Sequence, residues 1–187
     1  VALLETYMPT RIGLRENVAG LRSFIRELYG EDTGDSAGKA SARAWGETSD
    51  YARTRFNAGG GDIKKRSDWH VPQNHDQWRV REAGQKEWVR FVSGLKIEIR
   101  DPESGDILTE GAAREALKEM WGTIGSRGMK SLRLGAGFGG KLANTRADPR
   151  LLQFKDADSW LAYNDRYGAG SIYRLVVGHL DGIARDI

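Results

Sequence analysis

Hydrophobic residues recur at helical spacing in the C-terminal stretch 171–187 of the chain. Intervals of three and four residues separate Ile172, Leu175, Val176, His179, Leu180, Ile183 and Ile187. Because such spacing places every member on one face of a 3.6-residue period, it predicts an amphipathic helix. Ser171 is expected to be its N-cap. No stop signal follows the apolar Ile187, so we expect the natural chain to continue beyond it.

A second helix is predicted immediately before this one, over Asp156–Tyr167, with Asp156 or Asp158 as its cap. Trp160 and Tyr163 lie three residues apart on its apolar face, which makes them anchor residues of the core or of an interface. The short link Gly168–Gly170 predicts that the two helices are antiparallel neighbours. Trp160 and Leu180 are therefore expected to be buried, and His179 is a third anchor because it lies on the apolar face of the last helix.

Two further helices are predicted in the N-terminal third. Leu14–Leu28 has apolar residues at alternating intervals of four and three, and Lys39–Asn57 has Trp45, Tyr51 and Phe56 among the residues on one side. The triple glycine at 59–61 is the expected hinge. The predicted organisation is therefore a helical arm of residues 1–58 and a main helical domain of residues 59–187.

The middle of the chain predicts two more helices and a few strand residues. Asp76 is expected to cap a helix that runs through Val92, and Thr109 to cap one that runs to Ile124. Apolar residues alternate over Leu95–Ile99, and the turn-forming residues 101–106 follow them, so a small hairpin with Ile107 and Leu108 is predicted. Leu151–Phe154 is another candidate strand. The fold class predicted is a mainly α, bundle-like module of about six helices with at most a small β-hairpin.

Composition limits the possible classes of protein. The 187 residues include 39% hydrophobic residues and six tryptophans, enough to build a core. The chain has no cysteine, so disulfides, thiolate metal sites and cysteine nucleophiles are excluded. No apolar run approaches the length that a membrane-spanning helix needs. The formal net charge of +3 is mildly basic and weakly favours an anionic partner.

Basic residues suggest where an anion could bind. Lys64, Lys65 and Arg66 form a basic cluster in the sequence, and Lys141 and Arg146 lie near a glycine-rich stretch. These five residues are the candidates for contact with nucleic acid or another anion. A cluster of three charges is also typical of an ordinary solvated surface.

The glycine-rich stretch matches part of a phosphate-binding motif. Gly135–Lys141 fits the first seven positions of a P-loop, G-x-x-x-x-G-K. The eighth position requires Ser or Thr to hold magnesium, and Leu142 occupies it. Pro149 follows too closely for a long phosphate-binding helix. A flexible loop is therefore preferred over a nucleotide site, and no cofactor is predicted.

Two histidines and a neighbouring aspartate are the candidate metal ligands in the sequence. His70, His75 and Asp76 are close in sequence, but zinc requires three or four ligands in tetrahedral geometry. The two histidines are five residues apart with Pro72 between them, which indicates a loop. Loop packing and helix capping explain these residues better than a metal site does. No complete catalytic set is found in the sequence.

Several stretches resemble one family of proteins. They are Arg146–Arg150, Leu151–Tyr163, Tyr167–Gly170, His179–Asp186 and the upstream run Trp69–Asp76. Together they resemble a segment of large virion-associated proteins of tailed bacteriophages and their prophages. The resemblance implies a phage particle as the context and carries no catalytic residues with it.

The predicted function follows from this resemblance. We expect a non-catalytic structural or interaction module of a virion protein, assembled in the bacterial host cytoplasm. Its expected partners are other virion proteins, a second copy of itself or packaged DNA. The alternatives are a nucleic-acid-binding helical module and a metal-dependent hydrolase around His70, His75 and Asp76. Salt-dependent DNA binding would favour the first alternative, and a stoichiometric bound metal would favour the second.

Overall fold

The described part of the protein is mainly helical. The computed structural model describes Tyr7 and residues 16–63, 65, 70–101, 104–125 and 152–186. Within these residues the chain forms six helices and one pair of short antiparallel strands. The predicted mainly α fold with a small β element is therefore confirmed. In the same residues, no helix has both the length and the apolar character needed to cross a membrane.

The elements are numbered in chain order. The helices are α1 (Val18–Leu28), α2 (Ser36–Ala58), α3 (Gln77–Ser93), α4 (Glu110–Gly125), α5 (Ala157–Tyr167) and α6 (Ile172–Asp186). The strands are β1 (Ile97–Ile99) and β2 (Leu152–Phe154). Five helices begin at a side chain that accepts a hydrogen bond from a first-turn amide, namely Asn17, Asp35, Asp76, Asp156 and Ser171. The predicted caps Asp76 and Ser171 are thus confirmed, and of the two candidates for α5, Asp156 and Asp158, the cap is Asp156.

The chain divides into two compact units. Unit 1 consists of Val1–Gln73 and Gly170–Ile187, and unit 2 consists of Asn74–Ala169. Neither division point coincides with the boundary predicted between residues 58 and 59, which falls inside unit 1. The last helix, α6, belongs with the N-terminal helices because it packs on α2.

Unit 1 is built around α2, which packs against α1 and α6. Its buried apolar side chains are Leu21, Phe24, Ile25, Trp45, Ala52, Phe56, Ile172, Val176 and Ile183. Tyr7 joins this core, where its hydroxyl donates to Ser41 Oγ at 2.9 Å. Successive α2 residues in the core, such as Trp45, Ala52 and Phe56, are seven and four residues apart, so they share one face of the helix.

Two apolar residues predicted to face this core are exposed instead. Tyr51 is 66% exposed, and Val18, the first residue of α1, is 57% exposed. Tyr51 directly precedes the buried Ala52, and adjacent helix positions differ by about 100° in direction. The apolar face predicted for α2 was therefore too wide, because it included Tyr51.

Unit 2 is built around α3, which packs against α4 and α5. The indole nitrogen of Trp121 on α4 donates to the carbonyl of Val80 on α3 at 2.9 Å. The α3 segment is interrupted at Gly84, whose φ of 74° and ψ of 158° are not helical. Glycine adopts this conformation without the steric cost that a Cβ would bring, so the kink is attributed to Gly84.

The helices α5 and α6 were predicted to pack side by side. The structure assigns them to different units: α5 packs on α3 and on β2 in unit 2, and α6 packs on α2 in unit 1. Of the two residues expected to be buried, Trp160 is 2% exposed and Leu180 is only half-buried. The short link between the helices fixes their separation along the chain, and it does not fix which core each one joins.

The small sheet has a different partner strand from the one predicted. β1 pairs with β2, so that Ile97 lies opposite Phe154 and Ile99 opposite Leu152. The predicted hairpin across residues 101–106 is limited to an isolated bridge between Arg100 and Ile107. The difference follows from burial, since Leu152 and Phe154 are at most 7% exposed whereas Ile107 is 60% exposed.

Candidate functional site

The structure places the three proposed metal ligands in separate structural roles. In unit 1, the ring of His70 lies 4.4 Å from the ring of Tyr29, centroid to centroid. The carbonyl of His70 also accepts a 2.9 Å hydrogen bond from the indole nitrogen of Trp45. Loop packing, the role preferred from the sequence, therefore describes what His70 does in unit 1.

In unit 2, His75 and Asp76 directly precede α3, and Asp76 is its N-cap. Asp76 Oδ1 accepts from the amides of Trp78 at 3.0 Å and Arg79 at 3.2 Å. His75 Nδ1 lies 2.8 Å from the hydroxyl oxygen of Tyr163. Among the described residues, no group of three or more His, Asp and Glu side chains is arranged to hold a metal ion.

The hydroxyl of Tyr163 is a titratable group in contact with His75, so its pKa decides whether it is suited to acid–base chemistry. Burial raises the pKa of Tyr163 well above its ordinary value, so the hydroxyl stays protonated at neutral pH. A protonated hydroxyl can donate or accept, so the His75 tautomer sets the direction of this hydrogen bond. A general base requires a pKa near the working pH, so Tyr163 is suited to a structural hydrogen bond.

The predicted anchor residues lie in two different cores. Trp160 and Tyr163 are each 2% exposed and belong to unit 2. The ring of Tyr163 lies edge-on to Trp88 at 6.3 Å and is 5.3 Å from Phe154. His179 belongs to unit 1, where its ring is 5.8 Å from that of Trp45. Aromatic packing thus accounts for Tyr163 and His179, and burial in the core of unit 2 accounts for Trp160.

Of the five basic candidates, only Lys65 lies in the described residues. Lys64, Arg66, Lys141, Arg146 and the glycine loop 135–140 lie outside them. Lys65 Nζ pairs with Asp50 Oδ2 at 3.0 Å, although 71% of the lysine side chain is exposed. Hydrogen bonds from Arg53 and Lys65 lower the pKa of Asp50, so this carboxylate stays charged and offsets the positive charge of Lys65.

An exposed tryptophan on α3 was not recognised from the sequence. Trp78 is 66% exposed, and the guanidinium of Arg81 lies 5.6 Å from the centre of its ring. Like most tryptophans of this chain, it fits the apolar spacing of a helix, which predicts an anchor residue of the core or of an interface. The signal that could have identified it is its position two residues before the buried Val80, which directs it to the other side of the helix.

A cavity of about 330 Å³ lies between β1 and α4 in unit 2. Its walls are mainly apolar and include Ile97, Ile99, Ile107, Leu108, Ala113 and Leu117. Glu98 also contributes to the wall, and its carboxylate forms ion pairs with Arg100 and Lys155. Because both cations already engage this carboxylate, the cavity offers packing space rather than an acid poised for chemistry.

Comparison with known proteins adds no assignment. No protein-family model matches the chain, no curated protein is significantly similar to it, and no solved structure matches it. These comparisons therefore transfer no function to the chain.

Proposed function

We propose that this chain is a non-catalytic helical interaction module of a bacteriophage virion protein, and that it contacts other proteins of the particle. The observation that carries the interaction role is Trp78, whose indole ring is largely open to solvent on a well-packed helix. Exposed tryptophan with a neighbouring arginine is the combination that most often contributes binding energy at protein interfaces.

The chemistry-bearing side chains of the described residues support a non-catalytic role. Asp76 caps a helix, His75 bonds to a buried tyrosine, and His70 stacks on an aromatic ring. Each side chain thus has a contact that explains its position. The phage context rests on the sequence resemblance of residues 69–76, 146–163, 167–170 and 179–186, and it implies a place in the virion after assembly in the host cytoplasm.

The first experiment tests the proposed location. Particles of the phage whose genome encodes this chain would be purified by density gradient and analysed by mass spectrometry. We expect peptides of the chain in the particles at constant stoichiometry. Peptides found only in the lysate and never in purified particles would exclude the virion assignment.

The second experiment tests the role of Trp78. A photo-crosslinking amino acid would replace Trp78 in the protein assembled into particles, and Lys86, an exposed residue of the same helix, would serve as the matched control position. We expect a crosslink to another virion protein, or to a second copy, from position 78 and not from position 86. Equal crosslinking at both positions would show that Trp78 is not a specific contact.

The nucleic-acid and metal alternatives have their own readouts. Binding to duplex DNA that weakens steeply as salt rises would favour contact with packaged DNA. Stoichiometric metal retained after purification would favour a hydrolase. With 29 basic and 26 acidic side chains, the excess of positive charge is small, so the non-specific attraction to DNA that this excess provides is weak.

A further inference from the structure

The chain crosses between the two units at two points. It enters unit 2 between Gln73 and Asn74 and leaves it between Ala169 and Gly170. Asn74 and Ala169 are therefore the first and last residues of unit 2, and 95 sequence positions separate them.

These two terminal residues are directly bonded to one another. Asn74 Nδ2 donates to the carbonyl oxygen of Ala169 at 2.6 Å, and the amide nitrogen of Ala169 donates to Asn74 Oδ1 at 3.1 Å. A primary amide side chain carries both a donor and an acceptor, so it can satisfy both polar groups of one backbone residue. Aspartate offers only acceptors, and alanine offers neither, so neither could replace both bonds.

The next two residues strengthen the same connection. The amide of Asp76 donates to the carbonyl of Tyr167 at 2.7 Å, and His75 bonds to the hydroxyl of Tyr163 at 2.8 Å. Three consecutive residues at the entry point thus bond to the last part of α5 and the residue that ends unit 2. Main-chain and side-chain hydrogen bonds together therefore hold the entry segment, residues 74–76, to the last residues of unit 2.

The backbone between α5 and Ala169 is also tightly constrained. A Cβ at Gly168 would lie 2.4 Å from Asn164 Oδ1 and 2.5 Å from the carbonyl oxygen of Asn164. Only glycine therefore fits at this position, where its amide donates to that carbonyl at 2.8 Å. The close turn brings Ala169 to the position at which Asn74 bonds it.

We infer that Asn74 is a lock that holds the first and last residues of unit 2 together. With the lock closed, the entry segment, residues 74–76, and the exit segment, residues 168–169, are bonded to one another. With the lock open, the exit segment is released from the entry segment, while the packed helices of unit 2 stay folded. The lock is local, because it acts on the ends of unit 2 and not on its core.

The test measures amide hydrogen exchange by NMR in the full chain and in the Asn74→Ala variant. We expect the Ala169 amide to exchange at least about tenfold faster in the variant, because its acceptor is removed. The Val80 and Trp160 amides, which lie inside α3 and α5, should keep their wild-type rates. Lys86→Ala is the control for a surface substitution that leaves the lock intact.

Two results would overturn the inference. If the Ala169 amide exchanges at the wild-type rate in Asn74→Ala, the side chain does not hold the exit segment. If the amides of Val80, Trp160 and Ala169 all accelerate together, Asn74 supports the whole unit and is not a local lock.

Asn74→Asp separates the two bonds. It keeps an acceptor for the Ala169 amide and removes the donor to the Ala169 carbonyl. Its Ala169 exchange rate should fall between those of the wild type and Asn74→Ala. A rate equal to that of the wild type would show that the 2.6 Å bond contributes nothing to the lock.

Discussion

The hydroxyl of Tyr163 lies 2.8 Å from Nδ1 of His75, although 88 positions separate the two residues in the chain. The contact joins the segment before α3 to the middle of α5 within unit 2. It gives His75 a structural role, as the loop packing preferred from the sequence over a metal site leads one to expect. It also places a polar group in an aromatic core, where losing its partner is costly.

Tyr163→Phe should lower the free energy of unfolding by about 1–3 kcal/mol, because it removes the hydroxyl and leaves His75 Nδ1 without this partner. Urea denaturation followed by circular dichroism measures the change. Tyr173→Phe, on the half-buried face of α6, is the control and should stay close to the wild type. Equal stability of the two variants would mean that the hydrogen bond makes no net contribution.

Stability should fall at alkaline pH. Burial raises the pKa of Tyr163 and of Tyr167 above the ordinary tyrosine value of about 10. The folded state therefore holds these protons at pH values where the unfolded chain has lost them. The stabilising contribution is complete below about pH 10 and is lost progressively as the pH rises above it.

The measurement is the unfolding free energy at pH 8 and at several values above pH 10. Tyr163→Phe removes one of the raised groups, so its stability should decline less steeply with pH than that of the wild type. An identical decline in both proteins would show that Tyr163 does not contribute to the alkaline transition.

Trp160→Ala should reduce the free energy of unfolding by about 3–5 kcal/mol, since it removes a large side chain that is 2% exposed in unit 2. Asp165→Ala, on the exposed side of the same helix, should change it little. Thermal and chemical denaturation of both variants checks the difference. If both melt near the wild-type temperature, the packing around Trp160 is not what stabilises unit 2.

Asp76 allows capping to be distinguished from metal binding. Asp76→Ala should cost about 0.5–2 kcal/mol, because two first-turn amides of α3 lose their acceptor. Asp76→Asn should retain most of the stability, since asparagine is an equally good N-cap. A chelator should leave the wild-type melting temperature unchanged. A drop with chelator that is absent in Asp76→Asn would instead identify Asp76 as a ligand.

The triple glycine 59–61, predicted as a hinge, directly follows α2 and is bridged by two hydrogen bonds. Asn57 Nδ2 donates to the carbonyl of Ile63 at 2.9 Å, and the Ile63 amide donates to Asn57 Oδ1 at 2.8 Å. These bonds span the glycines, so the wild-type chain should resist limited proteolysis at residues 58–62. Asn57→Ala should be cut there faster. Rapid cutting of the wild type would support the predicted hinge.

The sequence alone was sufficient for the helices and for several of their first residues. Local information determines these features, because an apolar stripe at 3.6-residue spacing and a capping carboxylate need no distant residue. Asp76 and Ser171 were both identified as caps in this way, and the mainly α class followed. The exposure of Trp78 was missed, although it lies two residues before Val80 and so on the other side of the helix.

Pairings over long sequence distances were decided only by the tertiary structure. β1 forms its ladder with the distant β2, while the nearby residue Ile107 contributes an isolated bridge to Arg100, and α6 packs on α2, far from it in the chain. An amphipathic helix requires some apolar surface to cover its stripe, but the stripe does not specify which surface. The contacts of Asn74 with Ala169 and of His75 with Tyr163 are of the same kind. Each depends on where the folded core brings two distant backbones together, and no local pattern records that position.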